Sequence, residues 1–207
     1  MPKVDFQKVI ASPVAAYDEG LRFFMGEGIL NETLRRVAKD LENHDINYVV
    51  VGAVALNSYG YRRFTEDIDL ILTREGLEKF QKELVGLGYR PAQTGATKKF
   101  RTTAENVTVE IITSDEFPGD GKPKLVRFPN PNENTVEIDG IKTLSLEQLI
   151  ELKLASGMTA PHRLKDLADV QELIKVRNLT AEYAEKLNPF VREKYLELQK
   201  AVAESEE

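Results

Sequence analysis

The stretch GAVALNSYGYRRFTEDIDLIL, from Gly52 to Leu72, sets two aspartates, Asp67 and Asp69, at the mouth of an apolar run. Successive side chains along a strand point to opposite faces, so Asp67 and Asp69 share one face while Ile68 and Leu70 point into a core. A carboxylate pair repels itself and is costly to bury, so something positive belongs against it. Upstream, the β-branched run NYVVV reads as a strand that ends at Gly52 and passes into a short helical segment. Downstream, VTVEII reads as another strand, on which Glu110 shares its face with Thr108 and Ile112. If the two acid-bearing strands are neighbours, three carboxylates converge. Converging hard oxygen ligands suit Mg²⁺ or Mn²⁺. Taken singly, a D-x-D is also a common solvated edge or cap, and Gly52 also reads as a plain strand-end glycine.

Composition bounds the rest. The chain has 207 residues, 42% hydrophobic and 30% charged, which is ordinary globular usage with enough apolar residues for a core. It contains no cysteine, so neither a disulfide framework nor a thiolate metal site is expected. No apolar run is long enough to span a membrane, and the N-terminal MPKVDFQKVIASPVAAYDEG lacks the apolar segment of a signal peptide. A cytoplasmic setting without membrane association is the expectation. The net charge of −6 argues against a broad electrostatic surface for nucleic acid. Any such contact is expected to be local, through Arg62 and Arg63, Lys98 to Arg101, Lys122 to Arg127, or Arg163 with Lys165. The acidic tail AESEE reads as solvated.

The spacing predicts a helix over NETLRRVAKDLENHDI with Asn31 as its N-cap, and an amphipathic helix over REGLEKFQKELVGLG closing at a glycine. KKFRTTAENVTVEIIT reads as two strands joined around Glu105-Asn106, and TVEIDGIKTLS as a hairpin around Asp139-Gly140. The Pro- and Gly-rich stretch 115–134 reads as a loop that either gates the site or connects strands. From Leu146 onward the pattern is helical: LEQLIELKLASG, LKDLADVQELIKVRN, and a third helix broken at Pro189. The expected organisation is an α/β domain over 1–144 and a helical subdomain over 145–207 packed on it.

The order VVVGAVAL, then TEDIDLIL, then VTVEII resembles the nucleotidyltransferase superfamily, with its DNA polymerase β-like fold. The helical LIELKLASGMTAPHRLKDLADVQELI looks like that of the AbiEii-like and MenT-like bacterial nucleotidyltransferases. The resemblance spans roughly residues 31–176. It implies an α/β (α+β) fold, a nucleotidyltransferase-like mixed sheet flanked by helices with a C-terminal helical subdomain. It further implies a metal triad of Asp67, Asp69 and Glu110, and a triphosphate-facing turn at Gly52 and Ala53. Lys153, Arg163, Lys165, Asp166 and Asp169 would face the active site. Two positions depart from the family pattern. Ala53 replaces the usual Ser or Gly, removing a hydroxyl, and Glu110 replaces the commoner aspartate, adding a methylene.

The resemblance implies magnesium-dependent transfer of a nucleoside monophosphate from an NTP to an acceptor, with release of pyrophosphate. A tRNA or another RNA would be the acceptor in toxin-like members, and a cognate antitoxin or other protein a possible partner. Lys153 and Lys165 would hold the triphosphate, with Arg163 and Asp166 at the nucleotide; Arg62 and Arg63, read from their place just before the acid pair, would offset its repulsion or bind phosphate. Read without the resemblance, Lys153 is more simply an ordinary surface lysine, and Asp166 and Asp169, three apart on one helical face, either orient the cations, cap the helix or form a surface salt-bridge pattern. His44 reads as a helix C-terminal dipole partner. Phe100, Phe117, Phe128, Tyr59 and Tyr61 are base-stacking candidates, although aromatic residues at these spacings are more often core. Two alternatives stay open from sequence: a catalytically degenerate binding module, favoured by Ala53 and Glu110, and a purely structural partner in a toxin–antitoxin pair.

Overall fold

In the computed structural model, which describes residues 4–205, one mixed sheet of seven strands separates two helical layers. The chain runs α1 (Phe6–Ala11), α2 (Pro13–Phe24), α3 (Ile29–Asn43), β1 (Tyr48–Val50), α4 (Gly52–Ser58), β2 (Asp67–Leu72), α5 (Arg74–Glu83) and β3 (Tyr89–Pro91). It continues with β4 (Lys99–Thr102), β5 (Thr108–Thr113), β6 (Thr135–Ile138), β7 (Ile141–Leu144), α6 (Leu146–Thr159), α7 (Leu164–Arg177) and α8 (Pro189–Ser205). The strand order is β3-β4-β5-β2-β1-β7-β6. β2 runs parallel to β5 and β1 parallel to β7, while the remaining neighbours are antiparallel.

Both faces of the central strands are covered, as their near-continuous apolar runs require. Tyr48, Val50, Ile68, Leu70, Val109 and Ile111 pack with α3 and with Phe80 of α5. The alternate residues Val49, Val51 and Ile71 pack with α6, α7 and α8 through Leu149, Ile150, Leu154, Val170 and Tyr195. Asp67 and Asp69 alternate with Ile68 and Leu70, so they stand on the face of Ile71, under the α6–α7 layer. No helix among the described residues is long and apolar enough to cross a membrane.

The structure corrects four local expectations, one being the helix expected to close at a glycine, since α5 stops at Glu83 with Leu84 as its C-cap. Helix α3 is capped at Gly28 and not at Asn31, whose side-chain amide donates to Phe23 O at 2.8 Å. The oxygen for that helix start comes from α2, where buried Glu19 accepts from Leu30 N at 3.4 Å. A Cβ on Gly28 would lie 2.6 Å from the Glu19 carboxylate, so only glycine leaves room. Pro189 opens α8 instead of breaking a longer helix, because its missing N–H is harmless in a first turn. The preceding residues Ala181–Lys186 form a 3-10 turn. Strand β3, unforeseen from sequence, pairs with β4 at the sheet edge. Gly28 and Tyr89–Pro91 both take their roles from distant partners. The last two residues of the acidic tail lie outside the described residues.

Candidate active site

The parallel pairing of β2 with β5 sets Asp69 opposite Glu110 and Asp67 opposite Thr108. Side chains at paired positions of parallel strands leave the sheet together. One carboxylate oxygen each of Asp67, Asp69 and Glu110 therefore lies within 4.8 Å of the others. Thr65, two residues before the first acid, donates its hydroxyl to Asp67 Oδ1 at 2.5 Å. On the open side, Lys99 Nζ reaches Glu110 Oε2 at 2.9 Å. Glu110 keeps 42% of its side chain in solvent.

Asp69 is the deep member. Burial first, then repulsion from Asp67 and Glu110, push its carboxyl up to about 7, against the opposing pull of Lys153 and Lys99. Gly52 is fitted to it. Its φ is +66°, and a Cβ there would lie 2.0 Å from Asp69 Oδ2. The left-handed backbone and the close approach each demand glycine. Behind it, Val51 N donates to Asp69 O at 3.0 Å. Residues 51–53 therefore lie directly against the acids, and Ala53 is buried.

The expected positive counterpart comes from the helical layer. Lys153 of α6 is only 8% exposed, so it is not a surface lysine. Its ammonium donates to Asp166 Oδ1 at 3.1 Å and to Asp169 Oδ2 at 2.7 Å. Arg163 Nε donates to Asp166 Oδ2 at 2.8 Å and to Ser156 Oγ at 3.2 Å. Arg63, from the α4–β2 loop, donates to Asp169 Oδ2 at 2.8 Å. The Asp166–Asp169 pair is accordingly a buried anchor for cations and not a surface salt-bridge pattern. Burial opposes ionisation of Asp166, but Lys153, Ser156 and Arg163 outweigh it and hold its carboxyl below the ordinary range.

Most of these groups line one cleft of about 650 Å³, but Lys99 and Asp169, the latter expected to face it, do not. Gly52, Ala53, Arg63, Asp67, Asp69, Glu110, Lys153, Arg163, Lys165 and Asp166 all open onto it. So do Thr65, Ser156, His162 and Gly119, none of which the sequence singled out for the site. Thr65 alone carried a signal, a hydroxyl in step with the two aspartates. Of the aromatic candidates, Phe117 and Phe128 reach the cleft. Phe100 is buried in the sheet's other core, and Tyr59 donates to Leu144 O at 2.7 Å within the helical layer. Arg62 turns away into a second cavity with Arg35, and Arg101 donates to Asn106 O. His44 terminates α3, its Nδ1 2.8 Å from Asp40 O.

The profile of the family described as "Nucleotidyl transferase AbiEii toxin, Type IV TA system" matches residues 34–205. The chain belongs to the AbiEii nucleotidyl transferase family. The match covers the sheet, the acid-bearing strands and the whole α6–α8 layer. No curated protein matches the chain. Among solved structures, the antibiotic-resistance factor ANT(2'')-Ia in solution aligns at 18% identity over 82% of this chain and 95% of its own, with a TM-score of 0.51. The crystal structure of ANT(2'')-Ia in complex with adenylyl-2''-tobramycin aligns at 14% identity over 85% and 98%, with a TM-score of 0.50. Protein TM1012 of Thermotoga maritima aligns at 24% identity over 66% and 89%, with a TM-score of 0.44. The AbiEii chain thus shares the nucleotidyltransferase fold of the resistance factor.

Proposed function

We propose that this AbiEii-family chain transfers a nucleoside monophosphate from an NTP to an acceptor hydroxyl, releasing pyrophosphate, in a reaction that depends on Mg²⁺ or Mn²⁺. The observation that carries the reading is the gathering of three carboxylates within 4.8 Å, facing a set of cations across one cleft. The donor set fits a small hard cation: it is all oxygen, doubly held in place by Thr65 and Gly52, and strained by mutual repulsion that a cation relieves. Asp67, Asp69 and Glu110 would hold the metal. When bound, such ions neutralise developing charge on the phosphates and acidify the attacking hydroxyl.

The chain's own groups divide the remaining work. Thr65 keeps Asp67 turned to the cleft. Lys153, Arg163 and Lys165 stand where the β- and γ-phosphates would lie, and their charge offsets the leaving pyrophosphate. Asp166 and Asp169 fix the Lys153 ammonium by two of its three donors, leaving one for the cleft. The acceptor approaches over the open Glu110–Lys99 side. There Glu110 takes the hydroxyl proton as the oxygen bonds to the α-phosphorus and the bridge to the β-phosphate breaks. An RNA end, such as that of a tRNA, is the acceptor favoured by the toxin family. A cognate antitoxin would be its protein partner.

The test is incubation with each α-labelled NTP and Mg²⁺ in the presence of bulk tRNA, protein, or a polyhydroxylated small molecule. Label should enter RNA with wild type and not with the Asp67→Asn, Asp69→Asn double variant. Absence of both label transfer and magnesium-dependent NTP binding in wild type would sink the proposal.

A further inference from the structure

The cleft has a second end that phosphate chemistry does not use. Along β5 the residue on the same face after Glu110 is Ile112, about 7 Å further at two residues' rise. Beyond the acids the lining includes Phe117, Pro118, Phe128, Leu149 and Leu152, with the paired Lys98 and Glu116 also on it, and Ile112 and Phe128 pack against the α6–α8 core while still lining the cleft. Leu149 and Leu152 sit on α6 within the turn before Lys153, so this end adjoins the cationic wall directly.

The segment that carries Phe117 is built to stay there. Its two ends are clamped, with Asp115 N donating to Phe128 O and Phe128 N to Glu116 O, both at 2.9 Å. Lys98 pairs with Glu116 at the same clamp. Lys124 Nζ staples the tip by donating to Pro118 O and to Asp120 Oδ1, each at 2.6 Å. Gly119, at φ +75°, is seated on α6 so closely that a Cβ would lie 2.2 Å from Thr159 Oγ1 and 2.8 Å from Ser156 O. Phe117 is nevertheless in neither buried hydrophobic cluster of the described residues. A large aromatic ring is held at a cleft wall by backbone that is anchored on both sides, yet no core takes it up.

We infer that Phe117 and Phe128, with Ile112 as the floor, form the nucleobase site of the NTP, and that they hold the base by stacking. The inference rests on the nucleotidyl-transfer reading and deepens it. The acids take the α-phosphate, the α6–α7 cations take the β- and γ-phosphates, and the ribose spans the step along β5 from Glu110 to Ile112. The acceptor then enters over the Glu110–Lys99 side, where both side chains are exposed. An aromatic face binds every base, so the site is tolerant of base identity.

The test uses two ligands. Magnesium-dependent binding of ATP, CTP, GTP and UTP, and of inorganic tripolyphosphate, is measured calorimetrically on wild type, Phe117→Ala and Phe117→Tyr. Phe117 lies outside the core, so the alanine variant should fold, and an unchanged melting curve verifies this. The expected result is at least a tenfold loss of affinity for all four NTPs in Phe117→Ala, no change for tripolyphosphate, and recovery in Phe117→Tyr. NTP affinity unchanged in Phe117→Ala, or lost equally for tripolyphosphate, overturns the stacking site while leaving the phosphate site standing. Failure of wild type to bind either ligand overturns both readings.

Discussion

Replacing Asp69 by asparagine should make the metal-free protein more stable, and increasingly so as the pH rises. Folding carries this carboxyl from an ordinary value of 3.8 up to about 7. The folded state therefore binds the proton more tightly than the unfolded chain does. Between these two values the native protein keeps a proton that the unfolded chain has released, so stability falls as the pH rises. Below about pH 4 both states are protonated and the penalty vanishes. Above pH 7 it is complete, and at about 1.4 kcal/mol for each pH unit between the two values it amounts to about 4 kcal/mol. Asparagine has nearly the same shape and never ionises, so it removes the penalty. It brings an amide that must find partners, which returns about 1 kcal/mol. The net gain should be near zero at pH 4 and about 3 kcal/mol at pH 8. Urea unfolding in the presence of a chelator, at several pH values across this range, measures it. Added Mg²⁺ should then stabilise wild type and leave the variant unmoved. A variant less stable than wild type at pH 8 in chelator, or a gap that does not widen with pH, would refute the reasoning.

Gly52→Ala should lose magnesium-dependent nucleotide binding and about 2 kcal/mol of stability, since the new methyl meets the Asp69 carboxylate in a left-handed backbone; calorimetric titration and thermal melts report the two effects. Lys153→Met leaves Asp166 and Asp169 facing each other with only Arg63 and Arg163 against them. It should cost about 3 kcal/mol in urea unfolding and weaken tripolyphosphate binding at the same time. Gly28→Ala drives a methyl against the Glu19 carboxylate at the α3 cap. It should lower stability by about 1 kcal/mol, as a lost cap does, with NTP affinity unchanged.

The parts of the fold that could be read from sequence are those with local causes. The apolar runs around Val49 and Ile71 announce their strands, and the alternation in DIDLIL announces which face the acids take. Asn106, Asp139 and Asn178 sit at positive φ where the sequence suggested turns or a helix end. What escaped depends on partners distant in the chain. Lys153 looks like any helix lysine until α7 folds back and sets Asp166 and Asp169 against it, 13 and 16 residues on. Gly28 is a cap only because Glu19 of another helix supplies the oxygen. Tyr89–Pro91 is too short to announce a strand, and its pairing is given by β4. Phe117 carries no local mark that separates a cleft aromatic from a core one; Gly119 against α6 makes that distinction.

The pairing of β2 with β5 has a consequence for how the chain finds its native alignment. These strands are joined through α5, β3 and β4, so many residues must be laid down before they meet. A slip of β5 by a single residue would turn Glu110 toward the aromatic layer of Phe80 and Phe100 and bring Val109 out among the aspartates. Every slipped alignment of that kind strands a charge in hydrocarbon and a hydrocarbon among charges. The acids whose mutual repulsion weakens the finished protein therefore also discriminate against its misfolded neighbours, and neutralising them should make the sheet more stable and less faithfully assembled.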